Sequence, residues 1–281
     1  MSNIIFSATG CARCAITKRY MKEHAIDYRE YDIKTDGKDE FAKFYREHRK
    51  AIFRDKDGVE FPVFTDGTVI RQGVSVVIAY LLCGEALDGF IHRSVMHGEW
   101  LDGFDVSGGN AERTDDLIRV MTYLKQNGLK LQLTTDGHNA GVLEKLLAVG
   151  LGNRVIMAVK GPPALYAAFT GRTLDEEALK KSIALTARFP EYRFHTEVAP
   201  LVRSDESVSY LTPEEVGQTA ALIEAATGSK KHPYELRSVD LRECSDDNLK
   251  SLGPLPESAM FKYRTAARRF QVMAEISKGI P

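Results

Sequence analysis

Two sulfurs open the functional reading. Cys11 and Cys14 are spaced Cys-x-x-Cys within Gly10-Cys11-Ala12-Arg13-Cys14. An apolar run, Ile4-Ile5-Phe6-Ser7, precedes them, and a helical pattern from Ala15 to Met21 follows. A Cys-x-x-Cys between a strand and a helix is a dithiol–disulfide site. Its chemistry follows from position. Unpaired backbone N–H groups and the dipole at a helix N-terminus favour an anion, which lowers the Cys11 pKa and supplies the thiolate nucleophile. Arg13 adds positive charge between the cysteines. Cys14, one turn on, is placed to resolve a mixed disulfide on Cys11. Structural zinc would want a second close pair of ligands. The other two cysteines, Cys83 and Cys244, stand alone, so a redox pair is the expected use and no metal site is expected.

The elements that must position this pair fall in the first 86 residues. Ile4–Ser7 and Tyr28–Ile33 read as strands flanking the Cys helix. The second alternates aromatic and charged residues, as a half-buried strand does. Phe41, Phe44, Tyr45 and His48 mark a second helix. Glu60-Phe61-Pro62-Val63-Phe64 is a strand entered through a proline. Asp66-Gly67 is a hairpin turn with Thr68-Val69-Ile70 returning, and Gly73 leads into an apolar helix from Val76 to Leu82. The charged stretch Glu47–Val59 reads as a solvated insertion.

This order, with Cys11, Cys14, Phe61-Pro62-Val63, Asp66-Gly67 and Gly73, resembles a glutaredoxin over about 85 residues. The resemblance implies a thioredoxin-like fold and a cis Pro62 beside the disulfide, exposing the backbone of Phe61 and Val63 to a thiol substrate. It also makes glutathione a possible ligand. Arg71 and Gln72, before Gly73, are then candidates for a carboxylate. Two positions depart from the family: Ser7-Ala8-Thr9 stands where many members have a lysine, and the threonine before the proline pair is missing.

The whole chain is 281 residues, long enough for two domains. Hydrophobic residues make up 43% and charged residues 27%, and the net charge is −1. That balance points to a globular chain with no nucleic-acid or membrane partner. No apolar run is long enough to span a bilayer, and the start lacks a signal-peptide core. A cytoplasmic protein is expected. The expected division is a glutaredoxin-like domain over 1–86, a linker over 87–100 and a second domain over 101–281.

In the second domain strands at 103–107, 130–135, 154–159, 192–198 and 234–239 alternate with helices at 115–126, 141–148, 175–188 and 213–227. Alternation of this kind predicts a parallel α/β sheet, a partial (β/α) TIM-barrel-like arrangement with its site at the strand C-terminal ends. A last helix is expected over 258–277, with Met260, Phe261, Tyr263, Phe270, Met273 and Ile276 on its core face. The strand ends carry Ser107-Gly108-Gly109-Asn110, Thr134-Thr135-Asp136-Gly137, Lys160-Gly161-Pro162 and Val198-Ala199-Pro200. This set is similar to the radical S-adenosylmethionine (SAM) activating enzymes of pyruvate formate-lyase and anaerobic ribonucleotide reductase. The family's Cys-x-x-x-Cys-x-x-Cys is absent, Asn110 replaces a glutamate, and His195 stands where an arginine would bind the SAM carboxylate. The resemblance therefore implies a degenerate barrel with no iron–sulfur cluster and no SAM cleavage. Ser107, Gly108, Gly109, Thr135, Lys160 and His195 are its candidate ligand-binding residues. The combined expectation is a thiol–disulfide oxidoreductase fused to a domain that docks a substrate protein or small ligand. Its partners would be a protein disulfide or a redoxin reductant. The alternative is a redox-sensing module for a radical enzyme or its activator.

Overall fold

A computed structural model describes residues 3–56, 58–241, 246–250 and 252–277. Contacts divide the chain into two units, residues 1–131 and 132–281. Among the described residues no helix is long and apolar enough to cross a membrane.

The first unit begins with β1 (Asn3–Ser7), α1 (Ala12–Glu23), β2 (Tyr28–Asp32) and α2 (Lys38–Glu47). Then come β3 (Arg54–Asp55), β4 (Gly58–Val59), β5 (Val63–Thr65), β6 (Ile70–Gln72) and α3 (Val74–Cys83). The four longer strands form a sheet in the order β2-β1-β5-β6. β1 runs parallel to β2 and antiparallel to β5, with Phe6 opposite Val63. Successive side chains of β1 point to opposite faces, so the apolar run builds two cores. Ile5 packs with Met21 of α1, Phe64 and Val77 of α3. Phe6 packs with Val63, Ile52 and the α2 aromatics Phe41 and Phe44. This is the thioredoxin-like layering.

Two local expectations need correction. Thr68 and Val69 lie in the hairpin loop, because the return strand starts at Ile70. Asp66 explains the longer loop: its carboxylate accepts from the backbone N–H of Thr68 and of Val69 and from the Tyr80 hydroxyl. Those bonds satisfy the N–H groups of Thr68 and Val69 within the turn. The stretch 47–59 is not wholly solvated. Ile52 is buried in the core, and β3 pairs with β4 as a short hairpin.

The unit continues through β7 (Trp100–Asp105) and α4 (Thr114–Gln126) to β8 (Lys130–Thr135), which crosses the division. The segment 87–100 buries Leu87, Phe90 and Ile91, and Ile91 bridges to Phe104. Asp102 holds that segment by accepting from the Ser94 hydroxyl at 2.6 Å and from the N–H of Val95 at 2.8 Å.

The second unit adds α5 (Ala140–Ala148), β9 (Arg154–Ala158), α6 (Tyr166–Thr170), α7 (Glu176–Thr186) and β10 (Glu191–Val198). It goes on with β11 (Pro200–Val202), β12 (Val208–Tyr210), α8 (Pro213–Thr227), β13 (Tyr234–Ser238), α9 (Asp247–Lys250), α10 (Met260–Arg268) and β14 (Ala274–Ser277). The large sheet has the order β14-β13-β10-β9-β8-β7. Its pairings from β8 to β14 are parallel, in the manner of a partial barrel. Met157, Phe194, Val198 and Leu236 turn one face of it into the main core, packed on Leu179 and Ile183 of α7, Val216 and Ile223 of α8, and Met260 and Tyr263 of α10.

Thr212 caps α8 in a reciprocal box. Its hydroxyl accepts from the Glu215 N–H at 3.2 Å, and its own N–H donates to the Glu215 carboxylate at 2.7 Å. The last helix is shorter than the sequence suggests. It ends at Arg268, and Ala274–Ser277 run beside β13 instead. Buried Gln271 turns the chain, its side chain donating to Ser229 O and accepting from the N–H of His232. Phe261 and Met273, expected in the core, are exposed.

Candidate active site

Cys11 is the N-cap of α1. Its backbone is extended and its sulfur accepts the N–H of Cys14 at 3.1 Å. Gly10, with φ of +83°, makes the turn that delivers the chain to this cap. Cys11 and Cys14 form a disulfide, with Cα atoms 5.3 Å apart. Cys14 is only 1% exposed, whereas Cys11 is partly exposed. An incoming thiol therefore reaches Cys11 first.

The Phe61–Pro62 bond is cis, and Cys11 Sγ lies 3.9 Å from the Phe61 carbonyl oxygen. The side chain of Val63 is buried in the core opposite Phe6, so only its backbone can serve a ligand. Gln72 is also structural in its contacts. Its amide donates to Phe53 O and Glu60 O and accepts from the Phe53 N–H, tying the 53 region to the strand before the proline. Gly73 has φ of +92°, and an added Cβ would lie 3.5 Å from the Glu60 carboxylate. Arg71 is held by Glu85 at 3.0 Å and Asp88 at 3.1 Å. Its guanidinium already has carboxylate partners in the fold.

Arg13 does something other than simply polarise the sulfurs. It pairs with Glu60 at 2.6 Å and donates to the carbonyls of Met96 and Trp100. Glu60 directly precedes Phe61-Pro62, so this pair ties the redox helix to the proline strand. Burial raises the Glu60 carboxyl pKa, with Arg13 and Arg93 opposing the rise. One Glu60 oxygen, Oε2, is buried without a hydrogen-bond partner.

On the other side of the sulfurs a cleft of about 460 Å³ is lined by Thr9, Gly10, Cys11, Cys14, Lys18 and Asp32, among others. Lys18 bonds Glu30 at 2.6 Å, and Ser7 donates to the same carboxylate. The Thr9 hydroxyl donates to Asp32 and holds its carboxyl below the usual range, helped by the Lys34 N–H. Sequence reasoning missed Lys18, Asp32 and Glu60. Lys18 was findable, since it lies four residues after Cys14 and thus on the same helix face. Asp32 and Glu60 come from other strands and carry no local signal.

The remaining candidates separate by unit. Ser107, Gly108 and Gly109 belong to the first. A Cβ on Gly108 would lie 2.5 Å from the Gly89 carbonyl, and one on Gly109 2.1 Å from the Phe90 ring. Close packing alone demands both glycines. Thr135, Lys160 and His195 belong to the second unit. Thr135 Oγ1 accepts the Gly137 N–H at 3.0 Å. Lys160 pairs with Glu197 at 2.9 Å. Burial opposes ionisation of Glu197, yet Lys160 holds its carboxyl below the usual range. Burial pushes the His195 imidazole down to about 4, with Arg237 and Lys160 adding to the shift, so this ring is neutral at pH 7. Among the described residues no group of three or more His, Cys, Asp or Glu is gathered for a metal. Cys244 lies outside the described residues.

No curated protein matches the chain. Several solved structures align with it, two of them as follows. One is a domain of pyruvate-formate lyase-activating enzyme from Bacteroides vulgatus ATCC 8482, with 11% identity, a TM-score of 0.43, and 62% of this chain and 97% of that chain covered. The other is macrophomate synthase, with 15% identity, a TM-score of 0.28, and 63% and 61% covered. The glutaredoxin family model matches residues 3–70, the stretch that holds the Cys pair, the cis proline and the hairpin. Residues 3–70 are a glutaredoxin domain, with the Cys11–Cys14 disulfide at the start of α1.

Proposed function

We propose that the chain is a thiol–disulfide oxidoreductase in which Cys11 attacks and Cys14 resolves. The observation that carries this reading is the Cys11 cap: an accessible sulfur takes the N–H of Cys14, while the Cys14 sulfur is buried behind it. In the reduced chain that N–H and the helix dipole stabilise the Cys11 thiolate. The thiolate attacks a substrate disulfide, forms a mixed disulfide and releases one substrate thiol. Cys14, deprotonated, then attacks Cys11 sulfur and releases the second thiol. The substrate gains two electrons and two protons, and the chain is left as the Cys11–Cys14 disulfide. A dithiol redoxin or two molecules of glutathione restore it.

During the mixed-disulfide stage the backbone of Phe61 and Val63 pairs with the substrate chain. In the cleft beside Cys11, Lys18 supplies a cation for a glutathione carboxylate, which would share it with Glu30. In this reading the second domain, residues 101–281, docks the protein whose disulfide is exchanged, and the partner is either that protein or a redoxin reductant.

The test is a Cys14→Ser variant, which forms the mixed disulfide and cannot resolve it. Expressed in its native cell, it should accumulate a covalent adduct through Cys11 that dithiothreitol releases. Absence of any adduct, with Cys11→Ser and Cys14→Ser equally inert toward a disulfide such as oxidised glutathione, would overturn the proposal.

A further inference from the structure

Parallel sheets are normally apolar on both faces, because helices cover both. The sheet of the second unit breaks that rule. Along β10 the residues Phe194, Thr196 and Val198 enter the core, while Arg193, His195 and Glu197 alternate with them onto the opposite face. There a cleft of about 600 Å³ opens, lined by Thr134, Ile156, Arg193, His195, Pro233 and Arg237 among others.

Its floor has a defined arrangement. His195 is paired in register with Glu235 of β13. Arg193 lies two residues before His195 on β10, and Arg237 two residues after Glu235 on β13. Both guanidiniums bond Glu235, Arg237 through Nη2 at 2.6 Å and Nε at 3.1 Å. With Lys160 and Glu197, the in-register partner of Arg237, the floor sets Arg193, Arg237 and Lys160 against Glu235 and Glu197, which leaves a net positive charge. The His195 side chain between them is 8% exposed, and its Nδ1 is buried without a hydrogen-bond partner. A buried polar atom without a partner costs free energy, which a bound group that completes it would recover. Arg193 itself is 45% exposed and open to the cleft. Ile156, in register with Arg193 on β9, and Pro233 add apolar surface to the lining.

We infer that this cleft binds a small organic oxyanion, its head held by Arg193 and Arg237 over the His195 ring and its body along Ile156 and Pro233. Planar guanidiniums bond the oxygens of a carboxylate or phosphate in pairs, and a neutral imidazole donates one further N–H. The site lies toward the N-terminal ends of the strands, where Arg154 and Glu191 begin β9 and β10. At its far end it approaches the Lys160–Glu197 pair, because Glu197 is in register with Arg237.

The experiment uses the full chain with ¹⁵N-labelled histidine. Inorganic phosphate and succinate are titrated separately at constant chloride, and the His195 imidazole signal is assigned with His195→Gln. A saturable shift of His195 by at least one anion is expected, weakened tenfold or more in Arg193→Gln. Arg193 is half exposed, so this variant should keep its fold, which its thermal unfolding will verify. Saturation by phosphate alone assigns a phosphate ester as the ligand class, and saturation by succinate alone assigns a carboxylate. A linear, unsaturable response to both anions overturns the inference, as does saturation that Arg193→Gln leaves unchanged.

Discussion

At the scale of single residues the redox site is a problem of placing one charge. Cys11 sits where the first turn of α1 offers unpaired N–H groups, and the Cys14 N–H already points at its sulfur. Arg13 is largely committed to Glu60 and two carbonyls, so under the proposed mechanism the helix terminus would be the main source of thiolate stabilisation. Cys11 should therefore react faster than Cys14 with iodoacetamide at pH 7, by roughly tenfold, when the reduced Cys14→Ser and Cys11→Ser variants are compared. Equal rates that follow an ordinary thiol titration would contradict this. Glu60 gives a second prediction. Its folded-state pKa is raised, so the protonated form favours the fold. That contribution is full below the unfolded value of 4.5 and is lost as pH rises toward the folded pKa. Urea unfolding of the oxidised chain between about pH 4 and 7 should show stability falling over the part of this range just above the unfolded value, and Glu60→Gln should remove that component of the slope.

At the scale of elements, motifs that look like ligand sites divide into those that packing explains and those that it does not. Ser107-Gly108-Gly109 follows β7, where barrel enzymes keep their chemistry. Yet each glycine is required by a neighbour, Gly89 or Phe90. Gly109→Ala pushes a methyl into the Phe90 ring and should cost about 1–3 kcal/mol. Chemical denaturation checks the loss. Disulfide-exchange activity of the folded fraction should stay unchanged, because the turn serves packing. Lower activity at full folding would return the turn to the functional site. On β10 the opposite holds. Its alternation of apolar and charged residues is unusual for a central parallel strand, and packing does not account for Arg193 and His195.

At the scale of the whole molecule, four cysteines limit the chemistry. A radical-SAM cluster is held by closely spaced thiolates. Cys11 and Cys14 belong to the redox helix, Cys83 ends α3 with its thiol pKa raised by burial, and Cys244 stands far from it in sequence. Anaerobic reconstitution with iron and sulfide, then reduction with SAM present, should therefore yield no stoichiometric 5′-deoxyadenosine. Its formation, dependent on an absorbing cluster, would overturn this expectation.

The sequence by itself determined what depends on neighbours along the chain. The Cys pair at a helix start, the turn at Asp66-Gly67, the Thr212–Glu215 capping box and the strand–helix alternation are all local patterns, and the structure realises them. Register and pairing lie beyond such patterns, because they are set by which apolar faces meet. The helical spacing over 258–277 could not reveal that Gln271 turns the chain and that Ala274–Ser277 join the sheet edge, since a strand that short is stabilised by its partner β13. Nor could it show that Arg13 meets Glu60, 47 residues away, beside the cis proline. Likewise, only the pairing of β10 with β13 sets His195 beside Glu235, between two arginines whose charges no stretch of sequence brings together.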